Sequence, residues 1–241
     1  MLETRELSRS FGKLAALSNV SFSVDKGEVF GIAGPNGAGK STLFNVITGN
    51  YAPTSGKVFF CGNDITGKKP YQICQLGIGR TFQIPTTFHT LSVYDNIKVG
   101  STFGGYKTRP PEEILEFLNI SQLSALPARN LDLYSTKLTM LGAVLATNCQ
   151  LLMLDEPMAG FSIVEINRFI EVLQRINKEW GVTIVIIEHL LDILIGLTER
   201  MLILSNGSLL YLGPSSEVTQ DRKVVEVYIG AAHKEEFHAE S

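Results

Sequence analysis

The sequence has little cysteine and no long apolar run. Its 241 residues include three cysteines, and no two of them form a CxxC pair. A disulfide scaffold or a zinc site is therefore not expected, and a reducing compartment suits the chain. The longest apolar stretch, 183–197, is interrupted by Glu188, His189 and Asp192. We therefore expect no membrane-spanning segment.

The sequence also lacks a marked excess of either charge. Lys and Arg number 21 against 24 Asp and Glu, which gives a net charge of −3. A broad basic face for nucleic acid is therefore not expected, and neither is a nucleic-acid partner. Hydrophobic residues make up 44% of the chain, enough to build a core and too many for a disordered chain. The N-terminus carries acidic residues and no apolar segment, so no signal peptide is expected.

Strand-like and helix-like segments alternate along the chain. A strand is predicted at 28–33, and apolar runs at 151–154 and 182–187 predict buried strands. Further strands are predicted at 17–24 and 58–60, and at 201–204 and 208–212 around the turn Asn206-Gly207. Helices are predicted at 40–48, 111–118, 136–147 and 162–180. Strands that alternate with helices indicate a parallel sheet with crossover helices.

A glycine-rich loop follows the second predicted strand and matches GxxxxGK[ST] in full. Its backbone N–H groups can converge on phosphate oxygens, and the N-terminus of the next helix adds positive potential. Lys40 is expected to reach the β- and γ-phosphates, and the Ser41 hydroxyl to bind Mg²⁺. The predicted nucleotide contacts in this loop are Gly34, Asn36, Gly37, Ala38, Gly39, Lys40, Ser41 and Thr42. The alternative is a glycine-rich turn that happens to precede a helix.

With this loop, the chain resembles the ATP-binding subunits of ABC transporters from about Arg5 to Gly230. The segment Leu151–Pro157 is similar to the family's Walker B strand and the glutamate after it. The resemblance implies that Asp155 holds the Mg²⁺ shell and that Glu156 orients and polarises the attacking water. The alternative is that both carboxylates only cap the next helix.

Three further residues resemble functional positions of the same family. Gln83 resembles the Q-loop glutamine, which implies that it senses Mg²⁺ and the water. His189 resembles the switch histidine that contacts the γ-phosphate. Phe11 resembles the aromatic residue that stacks on adenine. The alternatives are a solvated glutamine, a structural histidine and ordinary packing of an aromatic residue at a strand end.

The resemblance narrows within the superfamily to the ATPase subunits of branched-chain amino-acid importers. The segments that carry it are Arg80–Gln83, Leu91–Ile97, Asp155–Gly160 and Asp221–Gly230. The RTFQ form points to the longer ATPase subunit of that importer. The transported substrate would not touch this chain, so the substrate is assigned by analogy.

The resemblance also implies a fold and partners. The fold is α/β, a P-loop NTPase (RecA-like) parallel sheet core with an N-terminal antiparallel β subdomain and an inserted helical subdomain at about 85–150 (the ABC ATPase fold). We expect one ATP-binding domain over 1–230 and a polar tail over 231–241. The implied cofactors are ATP and Mg²⁺. The implied partners are transmembrane permease subunits, a second ATP-binding subunit, identical or different, and indirectly a substrate-binding protein. The implied location is cytoplasmic, on the inner face of the cell membrane through the permeases.

The family's signature motif, LSGGQ or LSYGQ, is degenerate in this chain. Leu131–Ser135 occupies its place and only Leu131 matches, although an offset of one residue would align Tyr134 with the branch's tyrosine. In the family, this motif grips the γ-phosphate held by the other subunit. Asp132 would then repel that phosphate by about 4 kcal/mol at roughly 4 Å and an effective dielectric near 20. The alternative is that Asp132 is a helix N-cap that points away from the nucleotide.

The leading hypothesis is an ATP-hydrolysing subunit that energises a transporter and works in a heterodimer. The alternative is a non-hydrolysing nucleotide-binding partner that regulates another ABC ATPase. ABC ATPases of translation or DNA repair usually carry two cassettes or coiled-coil inserts, which this chain lacks. A P-loop kinase does not need Glu156 and His189 together.

Overall fold

The fold is seen in a computed structural model that describes residues 1–105 and 107–228. The strands are β1 (Leu2–Phe11), β2 (Leu14–Val24), β3 (Val29–Ala33), β4 (Ser55–Phe60), β5 (Asn63–Asp64), β6 (Ile78–Arg80), β7 (Leu151–Asp155), β8 (Thr183–Ile187), β9 (Arg200–Ser205) and β10 (Ser208–Pro214). The helices are α1 (Lys40–Ile47), α2 (Pro70–Gln75), α3 (Val93–Phe103), α4 (Pro111–Phe117), α5 (Leu133–Ala146), α6 (Ile163–Trp180) and α7 (Leu191–Leu197). Residues 222–228 are also helical. The predicted polar tail, 231–241, lies outside the described residues.

The chain divides into two compact units. The first consists of Met1–Lys68 and the described part of Val185–Ser241, and the second of Lys69–Ile184. The boundary therefore falls within β8. None of the described helices is both long and apolar enough to cross a membrane.

The first unit contains an antiparallel sheet in the order β2-β1-β4-β5. This sheet matches the expected antiparallel part near the N-terminus. The sequence pattern did not predict β1, because its buried residues change phase between Thr4 and Leu7. A register shift occurs there, and Glu6 adopts a positive φ of 48°. An irregularity of this kind interrupts the alternation that identifies a strand.

The first unit also holds strands of the larger sheet, in the order β10-β9-β3-β8. β3 pairs in parallel with β9, and β9 turns back antiparallel into β10. Asn206 and Gly207 form that turn with φ of 48° and 76°, so the predicted hairpin is confirmed.

The second unit holds the strand order β8-β7-β6, with β6 parallel to β7. Every residue of β7 is buried, as the apolar run predicted for a central parallel strand. The parallel pairs confirm the predicted α/β sheet. Helices α3, α4 and α5 lie in the stretch assigned to a helical subdomain. α3 and α5 approach closely at Gly100, where a Cβ would lie 1.8 Å from the carbonyl oxygen of Ala143.

Capping side chains set where two helices, α5 and α6, begin. Asp132 caps α5, which therefore begins three residues before the predicted start at 136. Ser162 and Glu165 form a capping box at the start of α6. α6 ends at Trp180, and Gly181 caps it in a left-handed conformation with a φ of 65°.

Candidate functional site

The predicted phosphate loop lies in the first unit, between β3 and α1. Lys40 is the first residue of α1, and its side chain is buried. Its Nζ donates to the carbonyl oxygens of Gly34 at 2.7 Å and Pro35 at 3.1 Å. These contacts hold the loop curled around the ammonium group. Ser41, on the first turn, is exposed.

Glycine is required at two positions of this loop. Gly34 and Gly39 have φ of 146° and 103°. A Cβ on them would lie 2.2 Å from the carbonyl oxygen of Leu204 and 2.6 Å from that of Ala16. Gly39 supplies no side-chain cap, and the first turn of α1 contains no acidic residue. The backbone N–H groups of this helix start therefore suit an anion such as phosphate.

The other predicted loop contacts lie on the same segment with different exposure. Asn36 and Gly37 are exposed, Thr42 is half-buried and Ala38 is buried. A side chain contact with phosphate is therefore open to Asn36 and Thr42, whereas Ala38 can contribute only its backbone.

His189 also lies in the first unit, two residues beyond the end of β8 and exposed. β8 neighbours β3 in the sheet, and the backbone N–H of Glu188 points to the carbonyl of Ile32 at 3.4 Å. His189 and the phosphate loop therefore both follow the carboxyl ends of adjacent strands, where ligands bind in open α/β sheets.

Phe11 lies at the end of β1, with 40% of its surface exposed. Its ring meets Tyr51 edge-on, with centroids 5.2 Å apart, and the Arg9 guanidinium lies 4.5 Å from its centroid. These contacts are the ordinary packing that was the alternative for this residue. The remaining exposed surface keeps adenine stacking as a prediction.

Tyr228 is a residue that the sequence reasoning did not single out. Burial raises the pKa of its hydroxyl to about 12, and the backbone of Gly34 has a smaller opposing effect. The helical residues 222–228 therefore reach the phosphate loop. The only sequence signal was its position in the Asp221–Gly230 segment, whose last two residues lie outside the described part of the chain.

Two of the predicted catalytic residues meet in the second unit. Glu156 follows β7 directly, is buried, and adopts a positive φ of 49°. The Gln83 side chain amide donates to its carboxylate, with Nε2 2.5 Å from Oε2. This contact fixes the direction of the carboxylate, although the two residues lie far apart in the sequence. Positive φ at a residue other than glycine costs energy and is concentrated at functional sites.

Asp155, the last residue of β7, is buried and pairs with a residue that the sequence reasoning did not assign. The Arg80 guanidinium lies 2.9 Å from its Oδ2. The side chains are only 7% and 5% exposed. Arg80 was visible in the sequence only as the first letter of the RTFQ segment.

The segment expected at the place of the signature motif, Leu131–Ser135, leads into α5. The Asp132 carboxylate accepts the backbone N–H of Ser135 at 2.7 Å, so Asp132 is a helix N-cap. Tyr134 packs its ring on Phe161, with centroids 5.1 Å apart, and burial raises the pKa of its hydroxyl. Lys137 donates to two carbonyl oxygens of the segment after Glu156, those of Pro157 and Ala159, both at 2.8 Å.

A protein-only metal site is not found among the described residues, which contain no group of three or more His, Cys, Asp or Glu side chains placed to hold a metal. Mg²⁺ needs no such group, because it usually binds one or two carboxylates together with substrate phosphates and water. The predicted ligands offer the oxygen atoms that Mg²⁺ prefers: the Asp155 carboxylate, the Ser41 hydroxyl and the Gln83 amide oxygen. The Gln83 nitrogen already donates to Glu156.

Comparison with known proteins gives a consistent result. Residues 17–159 match the ABC transporter family. The chain is 36% identical to the probable branched-chain amino acid transport ATP-binding protein LivG of Archaeoglobus fulgidus, over 98% of this chain and 97% of that protein. It is 38% identical to the protein of the same name from Methanocaldococcus jannaschii, over 95% and 97%. Its fold matches the crystal structure of the ADP conformation of an ATP-binding cassette of an ABC transporter, with a TM-score of 0.87, 35% identity and coverage of 95% and 98%. The chain therefore belongs to the ABC transporter family, as an ATP-binding and ATP-hydrolysing subunit.

Proposed function

We propose that this chain energises the import of branched-chain or related amino acids. Two archaeal relatives named for that transport align with it over nearly the full length of both chains, which supports the substrate class. ABC ATPase subunits work with transmembrane permeases and pair with a second ATP-binding subunit. The permeases would hold this chain at the inner face of the membrane, and a substrate-binding protein would deliver the amino acid.

The contact between Gln83 and Glu156 carries the hydrolytic part of the proposal. A carboxylate held in one direction can orient and polarise a water for attack on the γ-phosphate. In this role Lys40 neutralises charge on the β- and γ-phosphates, and His189 contacts the γ-phosphate. Asp155, Ser41 and Gln83 would hold Mg²⁺, which when bound offsets the negative charge of the phosphates.

A second, different ATP-binding subunit is part of the proposal. The Asp132 carboxylate already caps the first turn of α5, because it accepts the Ser135 N–H at 2.7 Å. A phosphate from another subunit would meet that negative charge. A partner with an intact signature would complete the site of this chain instead. A purely regulatory, non-hydrolysing role is less favoured, because Glu156 is present and oriented by Gln83.

The proposed permease contact is the loop from Gln83 to about Gly100. Ile84, Phe88 and Leu91 are 75%, 56% and 37% exposed, and Pro85 is half-buried. The buried side chain of Asn96 fixes this loop, since its Oδ1 accepts the Phe88 N–H at 2.7 Å and its Nδ2 donates to the Phe88 carbonyl at 3.1 Å. A fixed, exposed apolar surface suits a short amphipathic helix.

Phe88→Asp tests the proposal in vesicles that contain the permeases, both ATPase subunits and the binding protein. We expect loss of most leucine, isoleucine and valine uptake with ATP binding unchanged, because the charge disrupts an apolar contact outside the nucleotide site. Leu212→Asp is the matched control, an exposed apolar residue of β10 that is 38% accessible. Unchanged uptake in the Phe88 variant would exclude this surface, and lost ATP binding would show that Phe88 supports the nucleotide site and not a partner contact. A wild-type assembly that transports neither these three amino acids nor a related one would contradict the substrate class.

A further inference from the structure

Arg80 and Asp155 form a buried ion pair at the ends of neighbouring strands. Arg80 ends β6 and Asp155 ends β7, and the register of the parallel pair places Arg80 beside Met153. The guanidinium nitrogen lies 2.9 Å from Oδ2, and both side chains are less than one-tenth exposed. The backbone N–H of Thr81 donates to the Met153 carbonyl at 3.0 Å, which fixes the chain directly after Arg80.

Arg80 has a second partner. Its guanidinium lies 4.9 Å from the centroid of the Phe82 ring. An arginine over an aromatic face gains cation–π attraction that does not depend on the carboxylate. The guanidinium can therefore retain one partner if its pairing with Asp155 weakens.

We propose that Arg80 is the resident counter-cation of Asp155 and that a divalent cation must displace it to bind that carboxylate. The inference rests on the proposed role of Asp155 as a Mg²⁺ ligand. Removing one partner of a buried ion pair is strongly destabilising, and Arg80 is a positive partner of Asp155, 2.9 Å from its Oδ2. A divalent cation at the same carboxylate repels the guanidinium, because like charges at short range interact strongly in a medium of low dielectric.

The exchange links the metal to the loop that carries Gln83. Arg80 lies three residues before Gln83 on the segment that also contacts Glu156. When a metal binds Asp155, Arg80 loses its contact with that carboxylate. Arg80 lies at one end of the segment that carries Gln83. Arg80 acts through Asp155 and is therefore a positioning residue, which sets how tightly the metal binds.

The test measures binding of Mn²⁺, a probe for Mg²⁺, by electron paramagnetic resonance of the free ion with a non-hydrolysable ATP analogue present. Arg80→Met should bind Mn²⁺ about tenfold more tightly, because one repelling charge is removed. Arg80→Lys keeps the charge and should stay near the wild-type affinity. Arg175→Met is the control: Arg175 pairs with Glu179 at 3.0 Å and lies 4.4 Å from the Phe117 centroid, but about half of its side chain is exposed.

Thermal unfolding without metal tests the pair itself. Arg80→Met should lower the melting temperature, and adding Asp155→Asn should restore part of the loss, because the buried carboxylate that lost its guanidinium is then replaced by a neutral amide. If adding Asp155→Asn does not raise the melting temperature of the Arg80→Met variant, the inference is overturned. If Arg80→Met alone does not fold, the inference is overturned when the double variant does not fold either.

The binding data separate this inference from the proposed function. One possible result is that Arg80→Met binds Mn²⁺ no more tightly than the wild type, whereas Asp155→Asn binds Mn²⁺ more weakly. In that case Arg80 is not a competing cation, and Asp155 remains the metal ligand. If Asp155→Asn binds Mn²⁺ like the wild type, Asp155 is not a metal ligand, and the inference falls with the proposed role.

Discussion

Glu156 shows what a motif can and cannot indicate about a single residue. Its proposed role follows from its place after Asp155, in a segment that resembles the Walker B strand and is read directly from the sequence. The positive φ of Glu156, 49°, and its contact with Gln83 cannot be read from the sequence. A left-handed conformation costs roughly 1–3 kcal/mol at a residue other than glycine. The side-chain partner of Glu156 lies 73 positions away in the sequence, so no local pattern predicts that contact.

Glu156→Gln should retain ATP binding and lose hydrolysis. The amide can still fill the space beside Gln83 but cannot accept a proton from water, so we expect kcat to fall by about 10²–10⁴. Steady-state ATPase assays and equilibrium binding of a fluorescent ATP analogue measure the two effects. The control is Glu171→Gln, an exposed carboxylate on α6. Parental turnover in the Glu156 variant would rule out its role in activating water.

Arg80 marks the limit of sequence reasoning at the residue scale. The glycine-rich loop could be proposed as a phosphate site from the sequence because its chemistry depends on neighbouring residues. The contact of Arg80 with Asp155 joins residues 75 positions apart, and nothing near either one in the sequence signals it. The pairing becomes visible only once β6 and β7 are known to be adjacent.

At the scale of elements, helix starts follow capping side chains more closely than apolar periodicity. α5 begins at Leu133 because Asp132 accepts the N–H of Ser135, whereas the apolar pattern suggested 136. The capping box at Ser162 agreed with the predicted start of α6. Buried strands such as β7 were predicted well, because a short, continuous apolar run is typical of a parallel strand that is covered on both faces.

Asp132→Ala should weaken the start of α5. Loss of an N-cap side chain costs about 0.5–2 kcal/mol, so we expect the free energy of unfolding to fall by that amount in a denaturant titration. Asp132→Asn should stay within a few tenths of a kcal/mol of the wild type, because asparagine caps equally well. An alanine variant as stable as the wild type would show that the cap contributes nothing.

At the scale of the whole molecule, the fold class followed from the order of strands, helices and motifs along the chain. The alternation predicted a parallel α/β sheet, and the turn signals placed the hairpin of β9 and β10. The identity of the second ATP-binding subunit could not be predicted in this way. It depends on a surface that one chain supplies to another, and Leu131–Ser135, the segment expected at that position, resembles the family motif only at Leu131.

The proposed assignment of Leu131–Ser135 to the signature position leads to a prediction about pairing. A homodimer would contain two copies of the Asp132 carboxylate at the proposed γ-phosphate contacts, whereas a heterodimer with an intact partner has one sound site. We expect the chain alone to be a weak ATPase and the partner to raise turnover by at least about tenfold, equivalent to roughly 1.4 kcal/mol of barrier.

Asp132→Ser with Tyr134→Gly should raise the homodimer's rate toward that of the heterodimer. Serine keeps the cap, but glycine lowers helix stability by about 1 kcal/mol and removes the ring from Phe161, so thermal unfolding must confirm the folded state. The control is Tyr134→Phe, which keeps that ring contact and should remain slow. A wild-type chain that turns over as fast alone as with its partner would show that Leu131–Ser135 is functional as written.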